Sequence, residues 1–270
     1  MPTLEVADLI IDYSDNGSGP PVVLVHSSVS GNRQWKRLIL ELEPEYRVLA
    51  LNLYGYGDTT PWRVDGTQTI HDQAQLVLHL LRDIDEPVRL AGHSFGGTVA
   101  LKAAAMLGTR ASHLFLFEPN PFYLLAQNGR SEAFAEAAVL RDFIKEHGRK
   151  AQWTAVAERF VDYWLGDGIW AGMLKERQAA YEQLLLANFF EWDCMESDLT
   201  PIETFARLPA KAMLAYAPGT RRPIREIAEL FEQKCPAWRF ATVEDGGHMA
   251  PMTRSDLVNP LIADFFKSTQ

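Results

Sequence analysis

The chain has 270 residues, of which 47% are hydrophobic, and it carries a formal net charge of −9 at pH 7. This length allows one large α/β domain or two small ones, and the apolar content is ordinary for a globular protein with a sizeable core. The acidic balance argues against general affinity for nucleic acid or for anionic membrane surfaces.

Hydrophobic periodicity predicts alternating strands and helices over the first 118 residues. Short β-like segments at 3–6 and 8–13 precede the run VVLVH at 22–26, which is typical of a strand buried on both faces. Further strands are predicted at 46–53, 87–92 and 113–118, and helices at 32–43, 69–84 and 95–108. This alternation implies a mostly parallel sheet covered by helices on both sides.

The alternation stops after residue 120, and the next stretch is mostly helical. Helices are predicted at 131–148, 152–166 and 171–192, with no core strand among them. Strands at 211–219 and 238–244 and helices at 223–233 and 256–266 then restore the pattern. Because the strands on either side need each other to be buried, we expect one core, residues 1–120 and 209–270, with residues 121–208 inserted as a helical cap.

The sequence GHSFGG places Ser94 between Gly92 and Gly96, where a predicted strand meets a predicted helix. A Gly-x-Ser-x-Gly turn in this context holds the serine in a strained conformation with its hydroxyl exposed to substrate. The dipole of the following helix favours negative charge at the same point. A glycine-rich turn without chemistry is the alternative, but the strand-turn-helix context favours a nucleophile.

Three motifs, VVLVHSS, GHSFGG and GGHMAPM, together resemble the α/β-hydrolase superfamily, and the resemblance covers essentially the whole chain. It implies an α/β-hydrolase fold and serine hydrolase chemistry. No CxxC pair indicates a metal site, and no Rossmann or Walker phosphate loop indicates a nucleotide cofactor, so we expect neither. The resemblance also implies that the backbone N–H groups of Ser28 and Phe95 form the oxyanion hole. Ser27 stands where the family usually has glycine, and His26 is interpreted as a structural residue that hydrogen-bonds this loop.

The resemblance assigns the catalytic base to His248, on the glycine-rich loop between the last predicted strand and the last helix. A neutral imidazole there can take the proton from Ser94 and return it to the leaving group. The other histidines are interpreted as structural or solvated: His71, His79, His93, His113 and His147.

The acid of the triad is missing from the position where the family usually carries it. The segment LAYAPGTRRP, residues 214–223, contains no carboxylate. Some branches of the superfamily place the acid one strand earlier, which here is Glu118, and FEPNPF with GTRRP and GHMAPMT resembles such a branch. A charged residue that ends an apolar strand is costly to bury without a partner, which favours a function for Glu118. A structural role for Glu118, and Asp245 as the acid, are the alternatives.

The predicted cap is rich in aromatic residues, some of which are expected to line a mostly apolar pocket. We therefore expect a serine esterase acting on a small hydrophobic or aromatic substrate. Carbon–carbon bond hydrolysis of a diketone and a low-turnover ligand receptor are the alternatives. The chain has only two cysteines and no recognisable secretory signal, which predicts a cytoplasmic protein. It also has no apolar run of about 20 residues, so we expect no membrane span. Nothing in the sequence indicates the oligomeric state.

Overall fold

The computed structural model describes residues 2–63, 65 and 68–268. Its strands are β1 (Thr3–Val6), β2 (Leu9–Asn16), β3 (Pro21–Val25), β4 (Arg47–Leu51), β5 (Val88–His93), β6 (Ala111–Phe117), β7 (Lys211–Tyr216) and β8 (Arg239–Thr242). They form one sheet in the order β1-β2-β4-β3-β5-β6-β7-β8. The first two strands pair antiparallel, and every neighbouring pair from β4 to β8 is parallel. The predicted mostly parallel sheet is thus confirmed.

Helices connect the strands and cover both faces of the sheet. In chain order they are α1 (Lys36–Leu42), α2 (Ile70–Leu80), α3 (Phe95–Leu107), α4 (Tyr123–Gln127), α5 (Ser131–Arg149), α6 (Trp153–Leu165), α7 (Lys175–Glu196), α8 (Ile202–Ala206), α9 (Arg222–Lys234), α10 (Ala250–Thr253) and α11 (Ser255–Lys267). Short 3-10 helices span Asn32–Trp35, Gly108–Arg110 and Gly247–Met249.

Strand β3 shows how the two faces are filled. Every residue of β3 is buried, and successive side chains of a strand point to opposite faces. Val23 and Val25 join the core cluster that contains residues of α2 and α3. Val22 and Leu24 join the cluster that contains residues of α1 and α11. A strand covered on both faces has no solvent-facing positions, which explains the uninterrupted apolar run in its sequence.

The prediction for one helix was wrong at both ends, because α7 spans Lys175–Glu196 and not 171–192. Side chains hold the preceding segment as a loop. The carboxylate of Asp162 accepts the backbone N–H groups of Gly168 and Trp170, at 3.1 and 2.9 Å. The Gln178 amide donates to the carbonyl oxygen of Trp170 at 2.7 Å. Such side-chain bonds to the backbone compete with helix formation.

Across residues 2–63, 65 and 68–268, no helix combines the length and the apolar character needed to cross a bilayer. Cys194 and Cys235 are both buried free thiols.

Candidate active site

Ser94 occupies a sharp bend between β5 and α3. Its backbone has φ 54° and ψ −121°, a left-handed conformation that is uncommon for a residue with a side chain. The Ser94 N–H donates to the carbonyl oxygen of Phe117 at 3.0 Å, which ties the bend to the end of β6. Strain of this kind persists only where surrounding contacts fix it, and it is common at functional sites.

The two glycines of the motif are required by close backbone packing. A Cβ on Gly92 would lie 2.4 Å from the carbonyl oxygen of Gly96 across the bend. A Cβ on Gly96 would lie 2.1 Å from the carbonyl oxygen of His26 and 2.5 Å from that of Val25. All three distances are far below van der Waals contact, so Gly92 allows the tight bend and Gly96 allows α3 to begin directly against the end of β3.

Gly96→Ala should therefore destabilise the fold. The clash involves backbone carbonyls that cannot rotate away, so β3 and α3 must separate, at a cost of about 3 kcal/mol in the free energy of unfolding. Urea unfolding followed by circular dichroism measures this change. Gly172→Ala is the matched control, because a Cβ there meets only one atom, at 3.8 Å, and should shift the free energy by less than about 0.5 kcal/mol. Equal stability of the two variants would contradict the argument.

His248 lies between Ser94 and Glu118. Its Nε2 is 2.9 Å from the Ser94 Oγ, and its Nδ1 is 2.6 Å from the Glu118 Oε2. Because a carboxylate can only accept, Nδ1 carries the proton and leaves Nε2 free to accept from the serine hydroxyl. The three side chains come from the carboxyl ends of β5, β6 and β8, one edge of the sheet, where open α/β folds bind ligands.

The loop after β7 lacks an acid but supplies donors to Glu118. The Ala217 N–H donates to Oε1 and the Thr220 hydroxyl donates to Oε2, both at 2.8 Å. Glu118 has φ 44°, so its backbone is also left-handed. Asp245 lies elsewhere: its side chain is 78% exposed and pairs with Arg254 at 3.5 Å. The structure thus brings Glu118, and not Asp245, to the imidazole.

Two aromatic rings support His248 from outside this trio. His93 Nε2 is 2.8 Å from the backbone carbonyl oxygen of His248 and donates to it. Burial holds the pKa of His93 well below its usual range, so the ring is neutral. Trp164, on α6, stacks on the His248 ring with centroids 4.2 Å apart and planes inclined by 26°. Sequence reasoning placed His93 in the bend but gave no signal that it would hold the His248 loop.

The two predicted oxyanion donors are the N–H of Phe95, next to Ser94 in the chain, and the N–H of Ser28, a residue that lines the same cavity as Ser94. The Phe95 N–H is the first of α3, and the Ser28 N–H belongs to the loop after β3. Within the described part of the chain, neither group donates to a protein acceptor. His26 anchors this loop: its Nδ1 donates to the Ser27 carbonyl at 2.7 Å, and its Nε2 accepts the Leu53 N–H at 3.1 Å. Burial lowers the pKa of His26 to about 4, which keeps it neutral.

A narrow cavity opens onto Ser94 and His248 between the sheet edge and helices α6 and α7. Its volume is about 30 Å³, roughly the room for two waters. Its helical walls are mostly apolar and aromatic, with the amide of Asn188 as the polar exception, and the other wall residues are Phe160, Val161, Trp164, Leu165, Tyr181, Trp192 and Met195. This geometry suits a thin apolar group. Among the described residues, no three histidine, cysteine or acidic side chains are grouped so that they could hold a metal ion.

The fold and this arrangement define a hydrolase-like α/β protein. The family model described as "Alpha/beta hydrolase family" matches residues 22–261. The chain therefore belongs to the alpha/beta hydrolase family, as the sequence motifs predicted.

Individual relatives are distant. An uncharacterized hydrolase of Bacillus subtilis is 24% identical over 98% of this chain and 96% of its own length. Among solved structures, an esterase from Exiguobacterium antarcticum superposes with a TM-score of 0.78 at 17% identity, covering 98% of this chain and 99% of that one. An enol-lactonase from Burkholderia xenovorans gives 0.73 at 18% identity, covering 99% and 100%. These superpositions show that the chain has the same fold as both enzymes.

Proposed function

We propose that the protein is a serine hydrolase that cleaves a carboxylic ester of a small hydrophobic or aromatic molecule through an acyl-enzyme. The observation that carries the proposal is the hydrogen-bonded line of Ser94, His248 and Glu118 at 2.9 and 2.6 Å. A nucleophile next to a base that a third group orients is the arrangement that serine catalysis needs. Membership of a hydrolase family supports the proposal.

The proposed reaction has two halves, acylation of Ser94 and hydrolysis of the acyl-enzyme, and the same groups act in both. His248 Nε2 takes the hydroxyl proton as the Ser94 Oγ attacks the ester carbonyl carbon, and the N–H groups of Ser28 and Phe95 bind the oxyanion. His248 then protonates the leaving alkoxide, and the C–O bond breaks to give the acyl-enzyme. Water attacks by the same route and releases the acid. Glu118 keeps the imidazole in the tautomer that accepts from the nucleophile.

In the proposed enzyme, residues 121–208 act as a cap inserted into a core of residues 1–120 and 209–270. Support comes from helices α4 to α8, which all lie within this insertion, and from the cavity, whose apolar walls belong to α6 and α7. Because those walls are close together, the cap excludes water from the acyl group, and this selects thin apolar acyl chains or rings.

A panel of p-nitrophenyl esters of increasing acyl length, combined with fluorophosphonate labelling, tests the proposed function. We expect turnover of some esters and a single covalent label, mapped to Ser94 by peptide mass spectrometry. Absence of both turnover and label would contradict the proposal and favour a ligand receptor on the same fold. Cleavage of a diketone but of no ester, with the label still on Ser94, would assign carbon–carbon bond hydrolysis instead.

A further inference from the structure

Glu191, on α7, is a fully buried carboxylate that the reaction above does not use. Its exposed fraction is 0%, and its partners are two hydroxyls and one amide, none of which carries positive charge. Burial raises the pKa of Glu191, and these hydrogen bonds to the carboxylate oppose that change. A charge without a cationic partner is costly to bury. Such a group next to a candidate site indicates a specific role.

Two of the three hydrogen bonds of Glu191 lead to the loop that carries the Ser28 N–H. Oε2 accepts the Ser28 hydroxyl at 2.5 Å, and Oε1 accepts the Tyr56 hydroxyl at 2.7 Å. Tyr56 in turn accepts the Val29 backbone N–H at 2.9 Å. One carboxylate from α7 thus holds residue 28 directly and residue 29 through a phenol. The Asn188 amide, one turn earlier on α7, completes its hydrogen bonds at 2.9 Å.

The segment that Glu191 and Tyr56 hold, Ser28 and Val29, has a strained backbone. Val29 has φ 55°, and a β-branched residue in the left-handed region is a true outlier. Such a conformation persists only when neighbouring groups fix it. The groups that fix it here are Tyr56 and, across 163 positions of sequence, Glu191. Without them, rotation of the Ser28–Val29 peptides would relieve the strain and move the Ser28 N–H.

We propose that Glu191 is a positioning residue for the oxyanion hole, holding the Ser28 N–H in place from helix α7. This inference rests on the proposed function, because it assigns the Ser28 N–H to the oxyanion. It makes the position of α7 a condition for catalysis: a hole that depends on a carboxylate of α7 is complete only when α7 lies against the loop.

Kinetics of Glu191→Gln test the inference, with p-nitrophenyl butyrate as the probe. A glutamine cannot accept from both Ser28 and Tyr56 with its two terminal atoms, so the loop should shift. We expect kcat per active site to fall about 10²-fold with KM nearly unchanged, as for a misplaced or lost oxyanion donor. Sites are counted by fluorophosphonate labelling carried to completion. A purely structural role would lower the number of sites and leave kcat per site unchanged.

The matched control is Asp193→Asn on the same helix. Asp193 is 46% exposed and pairs with Lys145 at 2.5 Å, so its loss disturbs α7 without touching the loop. We expect nearly unchanged kcat per site. An equal fall in both variants would overturn the inference.

Ser28→Ala supplies an independent measurement if Glu191→Gln does not fold. This variant keeps the backbone N–H and removes the hydroxyl that binds Glu191. Because Ser28 also lines the cavity, a fall of similar size in kcat with KM unchanged is the result that indicates a shifted loop. In the double variant Glu191→Gln/Ser28→Ala, the two fold-losses in kcat should not multiply, because both substitutions break the same hydrogen bond between Ser28 and Glu191. Multiplying losses, or full kcat in both single variants of an active enzyme, would overturn the inference alone. An inactive, unlabelled wild-type protein would instead overturn the proposed function and the inference with it.

Discussion

Ser94→Ala should lower kcat for ester hydrolysis by about 10⁶-fold, the size of loss seen when the nucleophile of a serine triad is removed. The methyl group leaves His248 Nε2, now 2.9 Å from the Ser94 Oγ, without a hydroxyl to deprotonate, and no acyl-enzyme can form. Alanine and serine both carry a Cβ, so the strained φ of 54° costs about the same in the variant as in the wild type. The fold should therefore change little. Steady-state hydrolysis of the best ester, with circular dichroism to verify folding, measures the effect.

The matched control is Ser112→Ala. The Ser112 hydroxyl donates to the Val88 carbonyl at 3.0 Å, near the start of β6 and therefore at the opposite end of that strand from Glu118. Its removal should cost some stability and leave kcat near the wild-type value. Substantial turnover by Ser94→Ala, or labelling of another serine by the fluorophosphonate, would show that the nucleophile lies elsewhere.

The parts of this fold that depend on local periodicity could be predicted from the sequence. All eight strands were located, because a buried strand such as β3 requires an unbroken apolar run and helices such as α3 require longer ones. The short helices α4, α8 and α10, of four or five residues, were not predicted. A single helical turn has too few positions for a periodic pattern and is formed by its tertiary surroundings.

The residues of the candidate site could likewise be predicted only where the local sequence determines their geometry. Ser94 and its glycines are local features of a bend, so the motif predicts their geometry. Glu118 could be inferred only indirectly, from the missing acid after β7 and the cost of burying a charge. Glu191 could not be predicted, because α7 shows no local sign of which carboxylate points inward. Its partner Ser28 is 163 residues away, and only the packed structure brings the two together.

The loop after β7 explains how the buried carboxylate of Glu118 is stabilised. A carboxylate at the end of an apolar strand is costly to bury unless its oxygens are hydrogen-bonded. The Ala217 N–H and the Thr220 hydroxyl supply two of them at 2.8 Å, and His248 supplies the third at 2.6 Å. The segment that usually contributes the acid thus contributes the donors, and Glu118 is buried with every oxygen bonded.

These three bonds determine the expected behaviour of Glu118→Gln, which should lower kcat by about 10⁴-fold while the protein stays folded. The glutamine oxygen can keep the Ala217 N–H, so its amide nitrogen must face His248 Nδ1. An amide N–H can only donate, which forces the proton onto Nε2 and removes the acceptor for the Ser94 hydroxyl. The size of the loss follows from the wrong tautomer, since the geometry is preserved. Steady-state kinetics on the best p-nitrophenyl ester measures it.

Asp245→Asn is the matched control for the acid, because it makes the same acid-to-amide change close to His248 in sequence. The Asp245 side chain is 78% exposed and pairs only with Arg254 among the described residues, and an exposed pair of this kind contributes little to stability. Its kcat should stay near the wild-type value. Near-normal turnover by Glu118→Gln together with loss in Asp245→Asn would reverse the assignment. It would also require the loop at 244–247 to move in solution, since only then could that carboxylate reach the imidazole.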